Sequence, residues 1–403
     1  MIRWYLAAAA VAGALSLTGP AALARQPGAG EPATTVTFGY LSLADDPRYA
    51  ALETYANIQL RPPIDPFAGA ETALREGRIL GRALKLRFEL ERVEGETADE
   101  LLAGLDRLHA ERGARLFMVD APGGVVAELA ERTRGRDLLL VNVSAPENAL
   151  RQEGCAPHLL HTMPSLSMLT DALAQYAVFK RWGNILLLRG PLPGDTELAE
   201  AFARSAARFG AKVVDTRDFV PTNDPRQREQ NNINLLTTGV DYDAAFVADT
   251  AGEFGRYLPY QTALPRPVIG SVGLSPEAWH WSFERHGAPQ LNQRFERVAE
   301  GRRMTGYDWA AWAGVRVAIE AIARTKSAEL DAIEGFLKGD ELTFDAYKGA
   351  PASFRPWDNQ LRQPVLLHTH DAVIARAPIE GFLHAVNDLD TLGADEPDSA
   401  CDF

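Results

Sequence analysis

PVIGSVGLSPEAWHW, residues 267–281, is the stretch on which the reading of the fold turns. The apolar run Pro267-Val268-Ile269 reads as a buried strand, and Gly270-Ser271 breaks it into a turn. In a parallel sheet such a turn lies at the carboxyl edge, where backbone donors and short side chains face a ligand crevice. Ser271 and Val272 are therefore candidate ligand contacts. Trp279 and Trp281 follow within ten residues and have two readings: they cover a neighbouring helix, or they offer flat apolar surface to a ligand.

Outward from this stretch the chain alternates strands and helices. Upstream lie strands at Leu159–Thr162, Ile185–Leu188, Val213-Val214 and Ala244–Ala248, with helices at Leu166–Arg181, Thr196–Phe209 and Arg226–Leu236 between them. An earlier series has strands at Val36–Leu41, Leu84–Leu90, Leu116–Val119 and Leu138–Val143, and helices at Ala68–Leu80 and Ala98–Arg112. Such alternation specifies an α/β fold with mostly parallel sheets covered on both faces. Arg61-Pro62-Pro63-Ile64-Asp65-Pro66 is too rich in proline for regular structure and reads as a surface excursion. Downstream, Pro289–Glu300 and a long segment from Gly306 to about Ala323 are helical, the second with Ala311, Val315, Ala318, Ile319 and Ile322 on one face.

The strand Leu116–Val119 runs without a linker into Asp120-Ala121-Pro122-Gly123-Gly124 and then a helix. That junction aims unpaired N–H groups and the positive end of a helix dipole at the sheet edge, which suits an anion, although two glycines also suit a plain tight turn.

Residues 1–24 have a positive start at Arg3, an apolar run from Leu6 to Leu17, and the small-x-small site Ala22-Leu23-Ala24. They read as a signal peptide that directs the chain to the periplasm, too short in its apolar part for a membrane span. The net charge is -13 at pH 7, and loss of the leader makes it one unit more negative. This balance argues against nucleic acid or an anionic membrane surface as partner. The length suffices for two domains. Cys155 and Cys401 are the two cysteines; an exported chain allows them to form a disulfide, and two separate buried thiols are the other reading.

No Gly-x-Ser-x-Gly, H-E-x-x-H, P-loop or Gly-x-Gly-x-x-Gly element is present, so the sequence announces neither a catalytic set nor a required cofactor. His368 and His370 share one face of a strand, as two metal ligands or as a solvent-facing pair, and the second is preferred, so no metal site is expected. The segment Phe354–Pro364, FRPWDNQLRQP, concentrates planar donors that either grip a flat polyanion or knit a turn to the body, again with the second preferred.

The strand-turn-helix at Val119–Glu128, Cys155-Ala156-Pro157 with Leu159–Pro164, and Tyr307-Asp308-Trp309 opening a long helix resemble the type I periplasmic substrate-binding proteins of ABC transporters, in the branched-chain amino acid receptor group. GSVGLSPEAWHW, ERHGAPQLNQRF, YDWAAWAGVR, FRPWDNQLRQP and GFLHAVNDLDTLG resemble the subgroup associated with PQQ-dependent alcohol dehydrogenase systems. The resemblance implies two Rossmann-like lobes joined by three hinge crossings, a ligand held between them, and no catalysis. The expected division is 33–146 plus 271–340 for the first lobe, 147–270 plus 341–386 for the second lobe and hinge returns, and 387–403 as an acidic surface tail. Carried over residue by residue, it places ligand contacts at Tyr40, Leu41, Ala121, Pro122, Gly123, Gly124, Ser144 and Ala145 in the first lobe. In the second it places them at Arg189, Asp249 and Thr250, with Ser271 and Val272 on the returning strand. Trp279, Tyr307 and Trp309 are added as aromatic contacts near the mouth. The absence of a hydroxyl in Pro122-Gly123-Gly124 argues against an amino acid ligand, and the tryptophans suit a planar one, PQQ being the candidate. The expected partner of this monomer is an ABC permease; the alternative is a sensory or accessory role with a partner in the alcohol oxidation system.

Overall fold

The computed structural model describes residues 34–53, 59–221 and 225–403. The expected leader 1–24 lies outside the described residues.

Two parallel sheets carry the fold. The first has five strands in the spatial order Leu86–Gly95, Thr34–Leu43, Leu116–Asp120, Leu139–Asn142, Leu159–His161. Its central strands are apolar without interruption because both faces are covered. Phe38, Tyr40, Met118 and Val141 face the helices Phe67–Ala83 and Gly306–Thr325. Leu41, Phe117, Val119 and Leu140 face Ala98–Arg112 and Gly123–Arg132. Local signals agree with these bounds: Thr97 caps Ala98–Arg112 by accepting from the Glu100 N–H, and Gly113 stops the helix in the left-handed region at φ 64°.

The second sheet runs Val268–Gly270, Ala244–Ala248, Asn184–Arg189, Lys212–Asp218, again parallel. Each sheet places its first strand between its second and third, so each has a reversal of winding at the same point. Leu166–Phe179 and Pro193–Phe209 cover one face of the second sheet. The helix expected over Arg226–Leu236 is instead a 3-10 segment, Pro225–Asn231, followed by the short helix Ile233–Leu236. Asn232 separates them because its side chain accepts from the Leu235 N–H and starts a new helix there.

The lobes are joined where the chain leaves His161 for the helix at Leu166, where it returns through Ser275–Glu277, and where it passes from Phe354 to Val365–His368. Ser275–Glu277 and Val365–His368 pair antiparallel, and Val373–Ala377 completes a three-stranded hinge sheet.

The expected lobe boundaries need two corrections. Leu159–His161 pairs with Leu139–Asn142 and completes the first sheet, so that lobe does not end at 146. Leu342, Phe344, Ala352, Phe354 and Leu361 pack in the core of the first lobe, against the helix Gly306–Thr325. The tail also differs from a surface strip at its start: Leu389, Asp390, Thr391 and Leu392 are buried. The Asp390 carboxylate accepts from Arg355 Nε and Arg362 Nε, both at 2.8 Å, and the Cys155–Cys401 disulfide fastens the far end of the tail. Trp357 lies under both guanidinium groups. Gln360 donates to Met163 O and accepts from Arg151 Nε, and Gln363 donates to Thr162 O. The FRPWDNQLRQP segment therefore knits the lobes and the tail together. Among the described residues no helix is long and apolar enough to cross a membrane.

Gly69 tests the packing of the two helices on the inner face of the first sheet. A Cβ there would stand 2.0 Å from the Asp308 carbonyl oxygen, a backbone atom that cannot swing aside. Gly69→Ala is expected to destabilise the fold by about 1–3 kcal/mol in urea unfolding. Gly124→Ala, where a Cβ meets nothing within 4 Å, is expected to be neutral or to stabilise by up to about 1 kcal/mol.

Candidate functional site

At the carboxyl edge of the first sheet the chain's own side chains bind one another beside a cavity of about 330 Å³ that Ser42, Asp46, Tyr49 and Asp120 help to line. Asp120, at the end of its strand, is 1% exposed and accepts from Tyr40 Oη at 2.8 Å and from Tyr49 Oη. Arg48 stands 3.7 Å from the same carboxylate, forks onto Asp46 and reaches Ser144 Oγ at 3.4 Å. Burial raises the Asp120 pKa, and the Tyr49, Arg48, Tyr40 and Ser144 contacts oppose that rise. The glycine turn is filled as well: the Gly123 N–H donates to Glu147 Oε1 at 2.9 Å, which puts an internal carboxylate at the helix N-terminus the sequence offered to an anion.

The second sheet's edge follows the same logic. Asp195, 1% exposed, accepts from the N–H of Thr250 at 2.6 Å, from its hydroxyl at 2.7 Å and from the Leu192 N–H at 3.0 Å. Asp249 accepts from the N–H groups of Gly252 and Gly255, and Ser271 Oγ accepts from the Asp249 N–H. Arg189 turns to Asp218 at 2.8 Å. These residues brace their loops.

A cavity of about 1040 Å³ lies at the hinge side of the lobes. Its wall takes Pro146, Met163 and Tyr307 from the first lobe, Leu169 from a second-lobe helix, Glu277, His280, Trp281 and His368 from the hinge sheet and its flank, and Arg61–Ile64 from the proline segment. That segment is exposed and irregular at Pro62 and Pro63, as expected of a surface excursion, and it also forms part of the cavity wall. Most of the lining is apolar, with a few polar groups, as small-molecule sites are. Arg302 holds the loop before Tyr307 by forking onto Asp308, each contact 2.7 Å. Arg303 lies over the Trp281 ring, 3.4 Å from its centroid.

Two imidazoles stack in the wall, His280 on His368, with centroids 4.1 Å apart. His280 Nδ1 is hydrogen-bonded to Ser282 Oγ at 2.7 Å, with the Ser282 N–H at 3.4 Å. His368 Nδ1 faces the Thr369 carbonyl at 2.8 Å and must carry its proton there, so Nε2 is a bare acceptor when the ring is neutral. Nε2 is 3.7 Å from Glu277 Oε2 and makes no hydrogen bond among the described residues. Glu277 is enclosed by protein yet 44% of its side chain is accessible, because that surface faces the cavity. Burial raises its pKa, while His368 and Arg61 draw it down.

Of the residues expected to contact ligand, only Tyr307 lines this cavity. Trp279 and Trp309 are corrected to core residues: both are 0% exposed, their rings stack 6.4 Å apart, and their N–H groups donate to Asn292 Oδ1 and Ala346 O. Tyr40, Leu41, Ala121, Ser144 and Ala145 are buried, and the edge they share with Pro122, Gly123 and Gly124 is satisfied internally, as is that of Arg189, Asp249, Thr250 and Ser271; Val272 packs toward Gly255. Glu277, His280, Arg303, His368 and Arg61, which line the cavity, were not among the expected ligand contacts. The signal for two of them was present in the opening stretch, where PEAWHW sets Glu277 and His280 beside Trp279 and Trp281. His368 and His370 are not a solvent-facing pair, since His368 is mostly buried in the cavity wall. Among the described residues no group of three or more His, Cys, Asp or Glu side chains could hold a metal ion.

The sequence profile of a family described as periplasmic binding protein matches residues 68–372. No curated protein sequence matches the chain. Among solved structures, a branched-chain amino acid ABC transporter periplasmic ligand-binding protein from Burkholderia xenovorans LB400 aligns with TM-score 0.66 at 13% identity, over 85% of this chain and 95% of that one. A solute-binding protein of an ABC transporter from Rhodopseudomonas palustris BisB5, in complex with 3,4-dihydroxybenzoic acid, aligns with TM-score 0.62 at 13% identity, over 85% and 94%. One from R. palustris in complex with benzoate aligns with TM-score 0.62 at 12% identity, over 92% and 100%. At these identities the structures show the two-lobed α/β fold. Family and neighbours are binding proteins and not enzymes.

His280 gives a pH test. It is 7% exposed, and burial first, then His368, His370 and Arg303, push its pKa from 6.5 down to about 3. The folded pKa is depressed, so the stability that depends on a neutral ring is complete above about pH 6.5 and is lost as pH falls toward 3. In urea unfolding across that range, His280→Gln is expected to flatten the decline by up to about 1.4 kcal/mol per pH unit. An unchanged slope contradicts the assignment.

Proposed function

The chain belongs to the periplasmic binding protein family, and on that premise we propose that it captures a planar, anionic solute in the hinge-side cavity and delivers it to an ABC permease. The observation that carries this reading is the contrast between two places. The strand ends are braced by Asp120, Tyr49, Arg48, Glu147 and Asp195 and leave beside Asp120 a cavity of only about 330 Å³ with an acidic lining, whereas the cavity at the hinge presents Arg61, Arg303, Tyr307 and the two histidines on apolar walls. Its volume of about 1040 Å³ stands at the upper end of small-molecule sites, which favours a ligand larger than one amino acid. Flat walls at Trp281 and His280 favour a planar ligand, and Arg61 and Arg303 favour an anionic one. Benzoate and 3,4-dihydroxybenzoate, bound by two structural neighbours, have this chemistry. PQQ shares it in a larger molecule, and the assignment of the protein to PQQ-dependent alcohol oxidation rests on the sequence segments that resemble that subgroup.

Trp281 is the natural reporter. Titration of benzoate, 3,4-dihydroxybenzoate, PQQ and leucine is expected to quench its fluorescence and raise Tm for the planar acids and not for leucine. Trp281→Ala or Arg303→Ala is expected to weaken binding by about tenfold or more, while Arg189→Ala, remote from the cavity wall, leaves it unchanged. Loss of binding in Arg189→Ala with retention in Arg303→Ala would return the site to the strand ends.

A further inference from the structure

We infer that the cavity reads a hydrogen-bond donor on its ligand, a hydroxyl on a planar ring, through the acceptor pair Glu277 and His368. This rests on the hinge-side cavity being the ligand site. The register of the hinge sheet builds the pair: Ser275 opposes His368 and Glu277 opposes Leu366, so Glu277 and His368 sit diagonally on one face of two adjacent strands. The Thr369 carbonyl fixes the His368 proton on Nδ1. Nε2 and the Glu277 carboxylate then present lone pairs toward each other at 3.7 Å, with no donor of the described residues between them. Of the two acceptors, His368 Nε2 is buried without a hydrogen-bond partner, while the Glu277 carboxylate is open to the cavity; a buried acceptor left unpaired is unfavourable and is relieved by a donor in the cavity.

Two things satisfy the pair. One is a proton on His368 Nε2, which makes an ion pair with Glu277. The other is a ligand hydroxyl, which donates to one member while the cavity keeps the ring flat against Trp281. The cavity is placed to receive the hydroxyl, since Nε2 is unpartnered beside the Glu277 carboxylate and Arg61 and Arg303 line the same wall. Tyr307 completes the polar lining and, with its hydroxyl free of partners among the described residues, is placed to receive a second polar group of the ring. The predicted ligand class is a hydroxylated aromatic carboxylate.

Calorimetric titration of the mature chain with 3,4-dihydroxybenzoate and with benzoate tests this. At about pH 8 the hydroxylated acid is expected to bind about tenfold or more tightly than benzoate. His368→Phe and Glu277→Leu are expected to bring the ratio toward one. Equal affinity of the two acids in the unaltered protein overturns the inference and leaves the cavity standing as the ligand site. Binding of neither acid overturns the aromatic-acid reading, and the pair is then decided without ligand by the ¹⁵N shift of His368. An unprotonated Nε2 at about pH 7.5 supports the acceptor pair; an imidazolium at that pH overturns it.

Discussion

Asp120 is the constraint on which the arrangement of the site depends. It ends the third strand of the first sheet at the point where the winding reverses, the place where α/β folds usually receive ligand. A buried carboxylate there requires donors on every side, and Tyr40, Tyr49 and Arg48 supply them. Arg48 and Tyr49 come from the segment that follows the first strand, so meeting this requirement draws that segment over the sheet edge. The chain beyond them then reaches Arg61–Ile64, which form part of the cavity wall. One buried charge thereby closes one crevice and shapes another.

The carboxylates Glu147 and Asp195 extend the same principle to the helix N-termini. Each replaces a ligand anion with a covalently attached one, which saves the cost of immobilising a free solute but removes the position from recognition. Recognition moves to surfaces formed by more than one segment. The hinge sheet is suited to this because its strands come from two separate crossings, Ser275–Glu277 and Val365–His368, and face both lobes. Arg355, Gln360 and Gln363 stiffen those crossings through Asp390, Arg151 and the carbonyls of Thr162 and Met163. A ligand that touches Glu277 and His368 consequently touches the joint about which the lobes turn.

The parallel sheets were legible because strands covered on both faces are continuous apolar runs, and Leu116–Val119, Ile185–Leu188 and Ala244–Ala248 are such runs. The helix Ala98–Arg112 was legible for its cap at Thr97 and stop at Gly113. The lobe to which Leu159–His161 belongs was not, since a short apolar strand carries no mark of its neighbour, and the same holds for Phe344 and Leu361. The site was less legible still. Trp279 and Trp281 have the same side-chain chemistry two positions apart, and only the meeting of Asn292 with one ring and of Arg303 with the other sends the first into the core and the second to the cavity. Pro122-Gly123-Gly124 had the geometry of an anion site, but its occupant, Glu147, arrives from a loop whose position follows from Asn142 holding the Ser144 and Ala145 backbone.

This has a consequence for how family membership bears on the ligand. The shared fold supplies two lobes and their α/β layers, and these hold across structural neighbours that differ from this chain at nearly nine positions in ten. It does not supply the contacts, because each contact depends on whether an edge is left open or filled from within. Here the filled edges have carboxylates as their central groups, and the open cavity has arginines, imidazoles and one acid whose pKa burial raises. In a chain of net charge -13, Asp120, Glu147 and Asp195 are each paired with donors of their own segment or its neighbours, and none of the three lines the hinge cavity, whose charged lining is Arg61, Arg302, Arg303, Glu277 and Glu300.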